Sequence, residues 1–455
     1  MWKNMNLFLQ NELEQFKAAE KDQEKGEISE KIRNALQGKK IVIYGAGATG
    51  KALADVFAQL NIKIAFYVDR KSGDIKEING IPVFGVEKLQ QHNEKNILVI
   101  VSIDTQLFLE FQDEIERNIN KFCPQSVVIP YGRDLILALR YGICRDRFLS
   151  GHEFEIVECI NCGAENRRCE IFDEYLKKLA SKSVLDKSGY KLKYNKFFGY
   201  ILSNICSLKC KHCCEMVPYY NEKAFVKADV VVENCRKIAD ACQFTMYIEL
   251  IGGEPFLHPE IAYILEELLK IDDVGYVKIF TNGTVVPDAQ LCKVLKNPRI
   301  VVVWSNYQDT LQGILLDNVN KTREIFAKEG IKYIYSMSKT WLDFSSFDYV
   351  NKSEEDLEND FEDCFIANCH RLFEGVLYRC PHQYAAARLN KIDVGENDCV
   401  NIEECASLEE LSEKLYHFKN LRYVDACRYC VVPYKAQEVP AGEQLGEEEN
   451  EILPG

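Results

Sequence analysis

A chain of 455 residues can form two to four domains with a large core, and 47% hydrophobic with 28% charged residues is the composition of a soluble globular protein. Its 56 basic and 70 acidic residues leave a formal net charge of −14, so nothing electrostatic draws it to nucleic acid or to an anionic membrane surface. No apolar run is long enough to span a membrane, the amino terminus has no apolar signal core, and nineteen cysteines in what reads as a cytoplasmic chain argue for metal ligation rather than disulfides.

Residues 1–38 read as a helical segment, with Leu7, Leu9, Leu13 and Phe16 at roughly helical spacing among charges. From 39 to 135 strands and helices alternate. The runs are Lys40–Tyr44, Ile62–Val68, Ile97–Val101 and Ser126–Pro130, and they predict a parallel sheet with covering helices, a Rossmann-like domain. Between the first strand and the helix that follows lies Gly45-Ala46-Gly47-Ala48-Thr49-Gly50. Gly45 and Gly47 suit a tight turn that lets a phosphate approach, and Gly50 suits close helix–strand packing. Asp69, at the end of the second strand, sits where an acid can hold ribose hydroxyls. This points to a nucleotide or NAD(P) ligand, or to a domain of that fold without redox use.

Residues 136–194 read as a connecting region. Cys159-x2-Cys162 with Cys169, and Cys144 or His152, would make an incomplete zinc ribbon; plain buried or loop cysteines are favoured. From 195 to 345 five strand-like runs, Phe198–Leu202, Tyr247–Ile251, Val277–Phe280, Ile300–Trp304 and Lys332–Tyr335, alternate with helical runs such as Ile261–Leu269 and Asp317–Lys328. Such β–α units predict a parallel barrel whose ligands lie at the carboxyl ends of the strands.

Those ends carry chemistry. After the first comes Cys206-x3-Cys210-x2-Cys213, three close thiolates suited to an iron–sulfur cluster. Three ligands leave one iron of a cubane open for an exogenous donor, the same logic that separates open from closed zinc sites. Structural zinc completed by Cys214 is disfavoured, because adjacent cysteine side chains diverge. The second strand ends in Gly252-Gly253-Glu254-Pro255, where glycine allows close backbone approach to a ligand. Polar groups end the remaining strands: Thr281-Asn282-Gly283, Trp304-Ser305-Asn306 and Ser336-Met337-Ser338.

The thiol triplet followed by Gly-Gly-Glu-Pro resembles the radical S-adenosylmethionine (radical SAM) superfamily over roughly residues 195–435. The resemblance implies a partial (β/α)6 barrel and a [4Fe–4S] cluster on Cys206, Cys210 and Cys213, with SAM chelating the open iron. A one-electron reductant of the flavodoxin or ferredoxin kind would drive SAM cleavage to a 5′-deoxyadenosyl radical that abstracts hydrogen from substrate. It also implies that Gly252, Gly253, Glu254, Pro255, Thr281, Asn282 and Ser305 surround SAM. His212, just before the third cysteine, would fill the place of the family's aromatic residue near the adenine. Glu254 would bind the SAM amino group or hold its loop, and His258 is expected to be structural.

Residues 346–435 are similar to the twitch or SPASM-type auxiliary domains of that superfamily. Cys369-x5-Gly375-x4-Cys380, with Cys427-x2-Cys430, is assigned to a second [4Fe–4S] cluster; zinc is the alternative, and Cys364, Cys399 and Cys405 are left over. His382 is read either as pointing toward substrate or as packing. Residues 436–455 read as an acidic tail. The 39–135 stretch, with Gly80-Ile81-Pro82-Val83-Phe84-Gly85, also resembles sensor-like domains fused to sugar-modifying enzymes of surface-glycan pathways. The favoured reading is therefore oxidation or epimerisation of a small polar substrate, a sugar or nucleotide sugar. A peptide maturase and a non-enzymatic iron–sulfur redox sensor are the alternatives.

Overall fold

The computed structural model describes residues 5–19, 22–70, 72–73, 75–92, 97–103, 105–150, 156–161, 172, 175–176, 185–336, 339–432 and 435–446. Two compact units divide the chain, Met1–Glu153 and Phe154–Gly455.

In the first unit, strands β1 (Lys40–Tyr44), β2 (Ile64–Val68), β3 (Glu77–Ile78), β4 (Ile81–Phe84), β5 (Ile97–Val101) and β6 (Val127–Ile129) form one sheet in the order β3-β4-β2-β1-β5-β6. Every neighbouring pair is parallel except the β3–β4 hairpin. All five residues of β5 are buried, as an inner strand covered on both faces requires. The single helical segment expected over 1–38 is two helices, Met5–Ala18 and Asp22–Leu36. Leu9 and Leu13, one turn apart, are buried, whereas Leu7 lies off that face and is exposed.

In the second unit, β7 (Tyr194–Ile201), β8 (Phe244–Ile251), β9 (Val274–Thr281), β10 (Ile300–Ser305) and β11 (Tyr333–Ser336) are parallel neighbours in chain order. Helices Ala228–Asp240, Ile261–Leu268, Ala289–Leu295 and Gly313–Glu329 make the crossings. All eight residues of β8 are buried. Helix Ala228–Asp240 turns Val231, Cys235, Ile238 and Ala239 inward at a 3–4 residue spacing. Asp288 starts the next-but-one helix by accepting the Leu291 N–H at 2.8 Å.

The sixth parallel strand does not follow β11. After β12 (Thr340–Leu342), β13 (Arg371–Phe373) pairs parallel with the other edge of β7, and β14 (Val376–Tyr378) and β15 (Cys399–Asn401) extend the sheet antiparallel. The eight-stranded order is β11-β10-β9-β8-β7-β13-β14-β15, so the cysteine-rich carboxyl-terminal stretch shares a sheet with the barrel-like core. The turn between β13 and β14 places Glu374 and Gly375 at φ +45° and +83°, which is why glycine suits the second position. The described part of the expected acidic tail is built into the unit: β16 (Glu438–Pro440) pairs antiparallel with β12.

Candidate active site

The loop after β7 and the loop after β8 are knotted together by backbone. Gly253 N–H donates to Ser203 O and Glu254 N–H to Ile205 O, both at 2.9 Å. A Cβ on Gly253 would lie 1.9 Å from Ile205 O, and Gly252 has φ +122°. Both positions therefore exclude side chains, and the reason is loop closure as much as ligand approach. Glu254 is fully enclosed, and its carboxylate accepts from Phe256 N (3.0 Å), Thr281 Oγ1 (2.8 Å) and Asn282 N (2.8 Å). Burial pushes its pKa up to about 7 against the pull of those three donors. Glu254 and Thr281 thus brace the strand ends, and Pro255 opens the short turn Pro255–Leu257. Asn282 spends its Oδ1 on Thr284 and directs Nδ2 to Ser207 Oγ (3.2 Å) and Cys206 Sγ (3.6 Å).

A cavity of about 520 Å³ opens on this knot. Cys206, Cys210, Cys213, His212, Gly252, Gly253, Glu254, Pro255, Thr281, Asn282 and Ser305 all line it. Among the strand ends expected at this mouth, that of β11 is not in the lining; Met337 and Ser338 lie outside the described residues. Burial raises the Cys206 thiol to about 12, with the charge of Glu254 adding to it, and drives Cys210 and Cys213 upward too. Thiols so disfavoured as free thiolates become ligands only when a cation compensates them. His212 Nδ1 lies 3.3 Å from Asp343 Oδ2. Tyr307, two residues after Ser305, also lines the cavity.

The opposite wall was not anticipated. Arg371, on β13, donates through Nε to Glu215 Oε1 at 2.7 Å in a buried ion pair, while Glu215 Oε2 is buried without a hydrogen-bond partner. Glu249 and Cys214 also line the cavity, and the charged neighbours of Cys214 are Glu215, Arg371 and Cys369. No local motif marks Arg371 and Glu215, which are 156 positions apart.

The carboxyl-terminal thiols group differently from the sequence assignment. Cys364, Cys380, Cys427 and Cys430 line one small cavity, together with Asp360, Arg379 and His382. Cys369 is not in that lining; its electrostatic neighbours are Arg371, Glu249, Glu215 and, more weakly, Cys364. The cause is the backbone between them. Cys369 lies two residues before β13, whereas Cys364, its N–H bonded to Phe361 O, follows the helix Glu354–Glu362, which packs against the Asp425–Tyr429 turn. Lys352 Nζ donates to Cys427 O and Cys430 O and pairs with Asp360 at 3.0 Å. Arg379 lies near Cys380, Cys427 and Cys364. These two cations suit a site that gathers thiolate charge. No group of three or more His, Cys, Asp or Glu among the described residues closes on a single ion, a condition that thiols spread around a cubane do not need to meet. Cys399 and Cys405 bond to backbone carbonyls instead.

His258 is structural: Nδ1 accepts from Glu260 N and Nε2 bonds Val226 O at 2.8 Å. His382 stacks on Phe347 at 4.7 Å and bonds Tyr429 O at 3.0 Å. Cys144 and Cys159 are half-buried, and Cys162, Cys169 and His152 lie outside the described residues.

In the first unit Gly45, Gly47 and Asp69 line a cavity of about 480 Å³ with Tyr44, Lys51 and Arg70. Gly45 takes φ +109°, and a Cβ on Gly50 would meet Gly45 O at 1.9 Å. Asp69 Oδ2 accepts the Ala46 N–H at 2.8 Å, so one carboxylate oxygen holds the glycine loop itself.

Residues 40–106 match the PglD N-terminal domain and residues 200–335 the Radical SAM superfamily. Among curated proteins, the GTP 3′,8-cyclase of Lactiplantibacillus plantarum is 27% identical over 108 residues, covering 23% of this chain and 31% of its own. That of Clostridium acetobutylicum is 26% identical over 143 residues, covering 31% and 42%. The chain therefore spans about a third to two fifths of the length of these relatives. Among solved structures, native anSMEcpe with bound AdoMet and Cp18Cys peptide is 16% identical over 57% of this chain and 92% of that one, with a TM-score of 0.34, too low to compare the two sites. Residues 200–335 thus form a radical SAM domain, and the cavity lined by Cys206, Cys210 and Cys213 lies at the strand ends of that stretch.

Proposed function

We propose that this chain reductively cleaves SAM and uses the 5′-deoxyadenosyl radical to abstract hydrogen from a small polar substrate, of the sugar or nucleotide-sugar class, in an oxidation or epimerisation. The observation that carries the reading is the convergence of three thiols, the Gly252–Gly253 edge, Asn282 and Ser305 on one cavity. Cys206, Cys210 and Cys213 would hold the cluster, and the Gly252–Gly253 edge, Asn282, Ser305 and His212 would surround SAM. When bound, the cluster and SAM supply a one-electron reduction that yields a carbon radical.

The protein's own residues orient and enclose. Glu254 and Thr281 keep the strand ends rigid. The ring of Tyr307, with Trp341, Leu342 and Phe344, gives the cavity apolar walls that keep water from a radical. Glu215, Glu249 and Arg371 make the far wall polar, which supports a substrate rich in hydroxyl or amine groups over an apolar one. The sugar class rests on the amino-terminal domain's likeness to those of surface-glycan pathways. Its Gly45–Gly50 loop with Asp69 would bind a nucleotide. Cys364, Cys380, Cys427 and Cys430 are proposed to hold the second cluster.

The test is anaerobic reconstitution followed by assay of 5′-deoxyadenosine with dithionite or reduced flavodoxin, alone and with sugars, nucleotide sugars and peptides. Substrate-dependent formation with a sugar supports the proposal. Stimulation by peptides alone would replace the substrate class, and no cleavage by iron-loaded protein would reject the enzyme reading.

A further inference from the structure

The segment that ends the described chain reaches back to the thiol loop from 235 positions away. Cys210 and Gln444 face each other in an isolated antiparallel bridge. Lys211 N–H donates to Glu443 O and Leu445 N–H to Lys209 O, both at 2.8 Å. The Gln444 side chain adds three bonds: Oε1 accepts Lys209 N–H at 2.8 Å, and Nε2 donates to Gly442 O at 2.7 Å and to Cys210 Sγ at 3.3 Å. Both amide hydrogens and the carbonyl are therefore used. The reverse orientation would set the NH2 group against the Lys209 N–H, so the network itself fixes which end faces sulfur.

The segment is anchored independently of that bond. Val439 pairs with Trp341 across β12 and β16. Gly442, at φ +73°, lies so close to Tyr307 that a Cβ would come within 2.8 Å of the ring. Trp341 meets Tyr307 edge-on, with centroids 5.3 Å apart.

We propose that residues 438–445 form a strap that completes the cluster site, with Gln444 a positioning residue whose amide N–H to Cys210 Sγ raises the reduction potential of the cluster and so eases entry of the electron from the one-electron reductant. This rests on the reading that Cys206, Cys210 and Cys213 hold that cluster. A hydrogen bond to a ligating sulfur withdraws charge from it and favours the more negative, reduced state.

The measurement is a potentiometric titration of anaerobically reconstituted protein followed by electron paramagnetic resonance, reading the signal that changes when SAM is added. That signal reports the cluster with an open iron and not the second one. Gln444→Leu, which removes donor and acceptor, is expected to lower the midpoint, cutting the reduced-to-oxidised ratio at fixed poise about three- to tenfold; tenfold is about 59 mV for one electron. Gln444→Glu keeps the acceptor for Lys209 N–H but places a carboxylate at the sulfur, so its midpoint should fall further. It carries the test if the leucine variant does not load iron. Unchanged midpoints in variants with unchanged iron content overturn the role of Gln444. A wild-type protein with no SAM-sensitive signal overturns the cluster reading beneath it.

Discussion

Single side chains decide which thiols belong together. Cys364 lines the small carboxyl-terminal cavity with Cys380, Cys427 and Cys430, and Cys369 does not. Iron analysis of reconstituted protein should therefore fall from about eight to about four atoms per chain in Cys364→Ala and stay near eight in Cys369→Ala; the opposite ranking would restore Cys369 as the ligand. His382 makes a second prediction. Burial pushes its pKa down to about 4, below the 6.5 of an unfolded histidine. The unfolded chain therefore binds a proton that the folded one refuses, and this group's stabilisation, complete above pH 6.5, is lost as pH falls toward 4. Between pH 6.5 and 5 the loss is about 2 kcal/mol. Melting of the protein without iron, compared with His382→Phe, should show a shallower decline in the variant. His370, buried and also held neutral, acts in the same sense and keeps the slope from vanishing.

At the scale of elements, the site is a set of strand ends held in register. The Gly253 backbone lies against Ile205 O so closely that a methyl group cannot enter. Gly253→Ala should displace the loop after β8 and weaken SAM binding at least tenfold by equilibrium dialysis, with little change in the sheet signal of circular dichroism. The β13–β14 hairpin makes a milder case. At Gly375, φ is +83° and the nearest neighbour of an added Cβ is the flexible Glu403 side chain at 3.0 Å. Gly375→Ala is expected to cost about 1 kcal/mol, read as a lower urea midpoint, while iron content is retained. The elements themselves were largely legible. Tyr247–Ile251, apolar but for Glu249, and the wholly apolar Ile97–Val101 each lie in a buried strand, the first starting three residues earlier, at Phe244. The sixth parallel strand was not legible, because β13 is three residues long and joins the sheet out of chain order.

For the whole molecule, two compact units joined near residue 153 imply two unfolding events. Calorimetry of iron-free and reconstituted protein should show two transitions, of which only the one belonging to Phe154–Gly455 rises on loading, since ligand stabilises only the unit that binds it. A shift in both would mean that the units unfold together. Sequence alone determined the local chemistry: Cys206, Cys210 and Cys213 stand within eight residues of one another, Gly252–Pro255 closes a strand, and Gly45–Gly50 joins a strand to a helix. Such signals survive in a linear reading because the residues that act together are neighbours in the chain. Tertiary structure alone decided which thiols line the small carboxyl-terminal cavity, the Glu215–Arg371 pair and the bond from Gln444 to Cys210. These depend on segments up to 235 positions apart, brought together by sheet pairing and packing whose register no short window of sequence contains.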